Sequence, residues 1–471
     1  MWSFLIAIAP IVIVLACLVC RVSSLWSGVI GVAAAVLGSV IAFPVSAGIA
    51  RTTAWTMSGT FLTVTFILLG GVGLAEVTSR SGAQALIARW LGSTAQDQDE
   101  ITVIVLISFG VTPFMESVTG FGLGVVITAP LLIHLGLTPA RAVTTGLLGL
   151  VLVPWGSLAP GTLVAADLGD VSFRALGVWT AVLTLPVLCV NLIAIVLVNR
   201  LRPAPRQWTF IAVVVLVEWL VLIAANAFVS PVLAGVLASA AVIVLTMARI
   251  RSSNRTVPRP PKGFGQALFP YCVLVSGLLV SAGVIALTGV PSVAANPALW
   301  LVIAVTSTMV VYRHRGIDVS AMLAAILQRW WPVTAITLLF MLLGTIMAAN
   351  GMASQLATSA AGLGSVFLVF IPAIGGLGGY LTGSNTGAAA MFSTATTSAA
   401  TQVGVNPLIA LAAQNVAGSA AIIASPPRVA LASSVAFEPG ERLPAPHVRR
   451  LVLVLLVLMI LLGGMVSAIL M

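Results

Sequence analysis

Charged side chains are scarce in this chain of 471 residues, because Asp, Glu, Lys and Arg together make up only 7% of it. A soluble protein carries about 25%, so the composition excludes a sizeable soluble domain. No histidine stands beside a second metal ligand, and the one C-x-x-C pair, Cys17 and Cys20, lies in an apolar segment. The G-x-x-x-x-G-K-[ST] motif is also missing. We therefore expect no metal and no cofactor, and ATP-driven transport would need a partner protein.

Apolar residues are abundant, at 60% of the chain, and the mean hydropathy is +1.17. Runs of about 20 apolar residues recur throughout, each long enough to cross a hydrocarbon core of about 30 Å. The sequence therefore predicts an all-α polytopic protein of the plasma membrane, embedded in the lipid bilayer, with about twelve transmembrane helices. The net charge of +10 lies in short loops between apolar runs, which is the positive-inside pattern and not a nucleic-acid surface.

The chain also contains an internal repeat. Residues 66–70 match 340–344 at an offset of 274, and residues 136–139 match 404–407 at an offset of 268. In a membrane chain, a repeat of this length is typical of a transporter built from two halves around a central site.

Two basic loops, 200–206 and 249–262, fix the orientation of the chain. They flank an apolar helical pair, so both lie on one side, the cytoplasm. When the topology is extended from these loops, the basic residues fall on the cytoplasmic side only if 101–135 and 363–403 are re-entrant hairpins. Taken alone, 101–135 can also be one kinked crossing. With both hairpins, the halves begin on opposite sides of the membrane, and the repeat is inverted.

This map divides the chain into three parts, which are a first inverted repeat at 1–205, a linker helix pair with its basic cytoplasmic loop at 206–265, and a second inverted repeat at 266–471. Within each repeat, a segment rich in Trp and Arg, 44–58 or 318–331, predicts a helix that lies in the membrane interface ahead of the next crossing.

Interruptions of the apolar helices indicate the binding site, since lipid tolerates broken backbone only where it faces protein or a cavity. The hairpins are interrupted at 113–117 with 120–122, and at 382–386. Broken helices follow, with interruptions at 153–161 and 425–427. At the offset of 268, Glu116 aligns with Ser384.

The candidate substrate- and ion-binding residues are the polar groups and the glycine at these breaks and on the second broken helix: Glu116, Ser117, Thr119, Gly120, Ser384, Asn385, Thr386, Gln414, Asn415 and Arg428. Helix N-termini at the breaks suit an anion, and hydroxyl and amide groups add donors or coordinate a cation. The alternative is that these small polar residues only help the helices to pack.

Glu116 is the candidate for a coupled proton, because a carboxylate at mid-membrane depth costs about 2.5–3.5 kcal/mol on insertion scales. Glu218, in the linker helices, and Glu76, which we expect at the interface near a cytoplasmic helix end, are its rivals. Arg428 follows two prolines and either pairs with a substrate carboxylate or anchors the cytoplasmic face.

Two stretches, T-P-F-M-E-S-V-T-G-F-G at 112–122 and G-S-N-T at 383–386, resemble motifs of the L-lactate permease family. The resemblance spans essentially the full chain and implies import of lactate or glycolate with protons. The triplet 384–386 also resembles the hairpin tip of sodium/dicarboxylate symporters, which implies that it binds substrate and cation and that one domain moves as an elevator. Family members typically read M-E-G-V-A-G-F-G-T-P, and this chain departs from that pattern at Ser117, Thr119, Leu123 and Gly124.

We therefore expect a secondary transporter that imports a small organic anion, a 2-hydroxy-monocarboxylate, with H⁺. A sodium-coupled carboxylate symporter is the alternative within transport, and a homodimer is compatible with the sequence. An intramembrane enzyme would need a His, Asp or Ser constellation at depth, which we do not find. A non-transporting scaffold would have no use for paired helix breaks.

Overall fold

The computed structural model describes residues 2–95, 99–120, 122–252, 259–288, 296–312, 318–364 and 366–471. Within these ranges the chain forms helices and no strands, and eleven helices are long and apolar enough to cross a membrane. The predicted all-α, multi-pass class is thereby confirmed. Phe121 of the first motif and residues 253–258 of the second basic loop lie outside the described ranges.

The first part of the chain begins with four helices, α1 (Trp2–Val19), α2 (Ser24–Ile41), α3 (Ala47–Arg80) and α4 (Ala83–Ala95). Hairpin 1 follows, made of α5 (Glu100–Val105), a π-helix (Leu106–Val111), α6 (Thr112–Thr119) and the returning α7 (Leu123–His134). A broken helix comes next, with α8 (Pro139–Leu148), a 3₁₀ turn (Val153–Trp155) and α9 (Pro160–Gly169). Two short helices, α10 (Phe173–Leu183) and α11 (Leu185–Val198), end this part.

The middle part consists of α12 (Pro205–Ala224), a π-helix (Ala225–Val229) and α13 (Pro231–Ser252). The last part again begins with four helices, α14 (Phe264–Thr288), α15 (Pro297–Tyr312), α16 (Val319–Ala349) and α17 (Met352–Ala361). Hairpin 2 is α18 (Val366–Thr382) and α19 (Asn385–Val403), and the second broken helix is α20 (Pro407–Ala421), a 3₁₀ turn (Ile422–Ala424) and α21 (Pro426–Ser433). The helix α22 (Ala445–Leu470) follows. The order of elements in the last part therefore repeats that of the first.

Both hairpins turn at glycines in the left-handed region. Gly120 and Gly122 have φ of 67° and 83° in hairpin 1, and Gly383 has φ of 64° in hairpin 2. A side chain would be strained at such angles. The turns therefore occur at 120–122 and 383–384. Asn385 and Thr386 already belong to the first turn of α19.

The structure corrects the predicted interruption at 113–117, which is helical. The π-helix that ends at Val111 lets the amide of Thr112 bond to a carbonyl five residues back. This wider turn shifts the hydrogen-bond register just where Pro113, which lacks an N–H, enters the helix. The helix thus continues past the proline.

The structure also corrects the predicted interfacial segments 44–58 and 318–331, which are not separate helices. Residues from Ala47 and from Val319 onward are the first turns of α3 and α16, which run unbroken for 34 and 31 residues. At 1.5 Å per residue, such helices are about 45–50 Å long, so they must tilt within a core of about 30 Å or extend beyond it.

The long helices α3 and α16 pack against each other, and Glu76 joins them. Its Oε1 lies 2.5 Å from Nε of Arg80, and its Oε2 lies 2.6 Å from Nη1 of Arg329 on α16. Glu76 is buried, with 3% of its surface exposed. Two partly exposed arginines therefore compensate the buried carboxylate near the end of α3, and the place of Glu76 at the membrane interface stays a prediction.

Candidate functional site

Hairpin 1, through Glu116, the turn of hairpin 2 and the two broken helices meet at one cavity of about 280 Å³. Its wall includes five of the predicted residues, Glu116, Ser384, Asn385, Thr386 and Arg428. Faces of α2, α3 and α16 complete the wall, through residues such as Ser24, Leu68 and Thr337. Elements from both ends of the sequence thus share one site.

Glu116 holds the turn of hairpin 1 together. Both of its carboxylate oxygens accept hydrogen bonds from the amide of Gly122, at 3.0 Å each, and Oε2 also accepts from Gly124 at 3.2 Å. Its backbone carbonyl accepts from the amide of Ser157 at 3.0 Å. The carboxylate therefore caps the start of α7, where free N–H groups favour a negative charge.

Arg428 connects the two hairpin turns. Its Nε donates to the carbonyl of Gly383 in hairpin 2 at 3.0 Å. A Cβ at Gly122 in hairpin 1 would lie 2.5 Å from Arg428 Nη1, so the glycine leaves the space that the guanidinium occupies. Arg428 and Glu116 thus flank the same glycine with opposite charges.

The outer nitrogens of Arg428 form no hydrogen bond with the residues that the structure describes. In the described part of the chain, both ion pairs belong to Glu76, and only Nε of Arg428 forms a hydrogen bond. A guanidinium fork that lines a cavity in this way can bind a carboxylate through two parallel hydrogen bonds.

The start of α19 forms the opposite wall. Ser384 caps this helix, and its Oγ accepts from the amide of Gly387 at 3.3 Å. Asn385 Nδ2 donates to Asn415 Oδ1 at 2.8 Å. A Cβ at Gly161, the second residue of α9, would lie only 2.7 Å from Asn385 Nδ2. The amides of the first helical turn therefore lie beside the cavity, where an anion is favoured.

Three predicted residues of hairpin 1 lie behind the cavity wall. Ser117 packs against α13, where a Cβ at Gly235 would lie 2.5 Å from Ser117 Oγ. Thr119 donates to a carbonyl of the preceding turn of α6 at 2.6 Å. Gly120 packs against Ser157, since a Cβ there would lie 2.4 Å from Ser157 Cβ. These residues shape the turn and do not line the cavity.

Two predicted residues of α20 are also one layer removed. Gln414 Nε2 donates to Ser393 Oγ at 3.3 Å. Asn415, which accepts from the start of α19, donates to Thr162 Oγ1 at 3.1 Å and to Thr180 Oγ1 at 3.2 Å. Asn415 thus orients the side-chain amide of Asn385, which lines the cavity. Its hydrogen bonds join the first and the last part of the chain.

The predicted interruption at 153–161 contains a left-handed segment that the sequence did not indicate. Ser157, Leu158 and Ala159 have φ of 41°, 67° and 71°, at a cost of about 1–2 kcal/mol per residue. Their conformation is held from outside, because the amide of Leu158 donates to the carbonyl of Ser117 at 3.1 Å. Ser157 lines the cavity, and its buried Oγ has no hydrogen-bond partner among the described residues.

Glu218, the other rival for the coupled proton, is fully buried on α12 and does not line the cavity. Neither of its oxygens has a partner within the described ranges.

The family model for L-lactate permease matches residues 3–259 and 270–470 of the chain. The chain is 24% identical over 444 residues to the L-lactate permease of Streptococcus iniae, which covers 86% of this chain and 93% of that protein. It is 31% identical over 118 residues to the glycolate permease GlcA of Escherichia coli (strain K12), or 25% of this chain and 20% of that one. Among solved structures, the YdaH transporter of Alcanivorax borkumensis aligns with a TM-score of 0.47 and 17% identity over 89% of each chain.

Proposed function

Because this chain belongs to the L-lactate permease family, we propose that it carries a small 2-hydroxy-monocarboxylate, such as lactate or glycolate, into the cell together with a proton. Membership of the family was predicted from the motifs and is confirmed. The matched relatives are permeases, so the chain is a multi-pass membrane transporter and not an enzyme. The observation that carries the proposal is the open guanidinium fork of Arg428 beside Glu116 in the cavity.

The substrate carboxylate binds the Nη atoms of Arg428, with the first amides of α19 as further donors. Ser384 and Asn385, which line the same wall, are in place for the 2-hydroxyl group. The cavity of about 280 Å³ is slightly smaller than most ligand sites, which measure about 300–1,000 Å³. A small acid therefore suits it better than a bulky one.

Charge balance supports coupling to one proton. The empty site holds one positive group, Arg428, and one negative group, Glu116, which is the one carboxylate in the cavity wall as described. An anion alone would leave a net charge of about −1, which is costly to move through a low-dielectric region. An anion with a proton on Glu116 leaves the site neutral again. The empty and the fully loaded site can both move, and the half-loaded site cannot.

The repeated order of elements supports an inverted repeat, with one half at 1–205, the linker at 206–265 and the other half at 266–471. Transporters of this kind can work by an elevator mechanism, which we propose here. The moving unit would contain the hairpins and broken helices. It would slide along the long helices α3 and α16. At Gly344 of α16, a Cβ would lie 1.9 Å from the carbonyl oxygen of Ala390 on α19, so backbone meets backbone across this contact. Such small-residue contacts allow close helix packing with few interlocking side chains.

Transport in purified vesicles tests the proposal. Radiolabelled L-lactate and glycolate should accumulate in proteoliposomes when the external medium is more acidic, and not in liposomes without protein. Unlabelled acetate, which lacks the hydroxyl, should compete poorly. Accumulation driven by a sodium gradient and indifferent to pH would replace the proton with sodium. Transport of neither acid under any gradient would refute the proposed substrate class.

A further inference from the structure

Asp167 is a carboxylate that the proposed mechanism does not use. It lies near the end of α9, half-buried, and accepts a hydrogen bond from the hydroxyl of Thr60 on α3. The start of α9 lines the cavity through Pro160 and Gly161. Asp167 is seven residues further, or about 10 Å along the helix. The carboxylate thus joins the helix that forms the site to one of the long helices.

The surroundings of Asp167 offer little else that is charged. The helices α19, α20, α10, α3 and α16 and the 3₁₀ turn at Val153–Trp155 pack against α9. The titratable groups on these elements are Arg51, Glu76 and Arg80 on α3, Arg329 on α16 and Arg174 on α10, and Asp170 follows α9 itself. Three of them form the ion pairs at Glu76, and Arg51 is nine residues from Thr60, or about 13 Å along α3. Within the described structure, the Thr60 hydroxyl is the one polar partner of Asp167.

A row of threonines extends from this contact along α3. Thr53, Thr56, Thr60 and Thr63 follow one another at intervals of three or four residues, so they share one face of the helix. Neighbouring members are about one turn, or 5 Å, apart along the axis. A protonated carboxyl that leaves Thr60 can therefore bond to another hydroxyl after a slide of one turn, whereas an ionised one must first give up its one donor.

We propose that Asp167 is a second proton-linked group of transport, which holds α9 against α3 while it is ionised and releases it when it is protonated. This inference rests on the proposed function. An ionised carboxylate in this half-buried contact loses its one hydroxyl donor when it parts from Thr60, and a partly desolvated charge without a partner is costly. The protonated acid carries no charge and can slide. The same proton stays on Asp167 in both directions of movement, so the release adds no net proton to the transport cycle.

Exchange of labelled for unlabelled lactate, with equal pH inside and outside, separates this group from Glu116. In the wild type both groups must be protonated before the loaded site moves. On the alkaline limb the logarithm of the exchange rate should then fall with a slope of about −2 per pH unit. Asp167→Asn should reduce the slope to about −1. Asp170→Asn is the matched control, since Asp170 is exposed with φ of 51°, which Asn adopts readily, and it should keep the wild-type slope.

A second variant protects the test against misfolding of Asp167→Asn. Thr60→Val keeps the carboxylate and removes its donor. Since that donor stabilises the charged form, the profile should move toward higher pH by about one unit. Asp167→Asn with the wild-type slope, or Thr60→Val with a superimposable profile, would overturn the inference and leave the proposed function intact. Failure of the wild type itself to exchange lactate would refute the proposed function instead.

Discussion

Removal of the guanidinium at position 428 is the sharpest perturbation of the proposed site. Arg428→Gln keeps a polar side chain of similar shape but removes the positive charge and the fork. Arg428→Lys keeps the charge but loses both the planar fork and the Nε bond to the carbonyl of Gly383, which measures 3.0 Å. The pair of variants therefore separates charge from geometry.

The magnitude follows from the hydrogen bonds that each variant loses. A hydrogen bond to a charged group contributes about 1.5–3 kcal/mol. Arg428→Gln loses two such bonds to the substrate and leaves Glu116 without its opposing charge, so we expect a loss of at least about 3 kcal/mol. The lactate concentration that gives half-maximal exchange should rise about 100-fold or more. Arg428→Lys loses one of the two bonds and should raise it about tenfold.

The assay is the concentration dependence of lactate exchange in proteoliposomes that contain equal amounts of inserted protein. Arg449→Gln is the matched control, because Arg449 is an exposed arginine at the start of α22, and it should behave as wild type. If Arg428→Gln binds lactate within twofold of wild type, Arg428 is a cytoplasmic anchor and the substrate carboxylate binds elsewhere.

Three further predictions concern coupling, the second hairpin and the topology. Glu116→Gln, which mimics the protonated carboxyl, should lose accumulation driven by a pH gradient yet keep lactate exchange, because exchange needs no net proton movement; uptake assays at several pH values measure both. Asn385→Ala should lower lactate uptake at least tenfold while the protein still inserts, since it removes the cavity amide that Asn415 orients at 2.8 Å. In a cysteine-free background, His134→Cys should react with an impermeant maleimide only from the cytoplasm, and Gln402→Cys, its counterpart in the repeat, only from outside.

Each of these outcomes has a clear opposite. A Glu116→Gln protein that still accumulates lactate in a pH-dependent way would move coupling to Glu218 or to sodium. Normal uptake kinetics in Asn385→Ala would mean that the Ser-Asn-Thr motif only packs helices. Labelling of both engineered cysteines from one side would refute the inverted repeat, and labelling of His134→Cys from outside would make 101–135 a full crossing.

The breaks in the helices could be predicted from sequence because glycine and proline carry local information. Gly383 marks the turn of hairpin 2, and Pro426 marks the start of α21, as observed. Pro113 was misleading, since a π-helix absorbs it. Whether a proline breaks a membrane helix depends on how the preceding turn can relax, which composition does not reveal.

The contacts within the site could not be predicted, because they join distant parts of the chain. Nothing local to Arg428 indicates that its guanidinium lies beside Gly122. Ser157, Leu158 and Ala159 have no preference for positive φ, and bonds to hairpin 1 impose it. Asp167 lies close to Asp170 in sequence, and only the packing of α9 on α3 distinguishes the two carboxylates.

In the proposed transport cycle, one lactate anion and one proton cross together and leave the site neutral. The most direct measurement records the external pH and the membrane current together when lactate is added to proteoliposomes clamped at zero potential. We expect the uptake of about one proton for each lactate, with no net current. Lactate entry that carries net negative charge into the vesicles, or that leaves the pH of the medium unchanged, would contradict coupling to one proton.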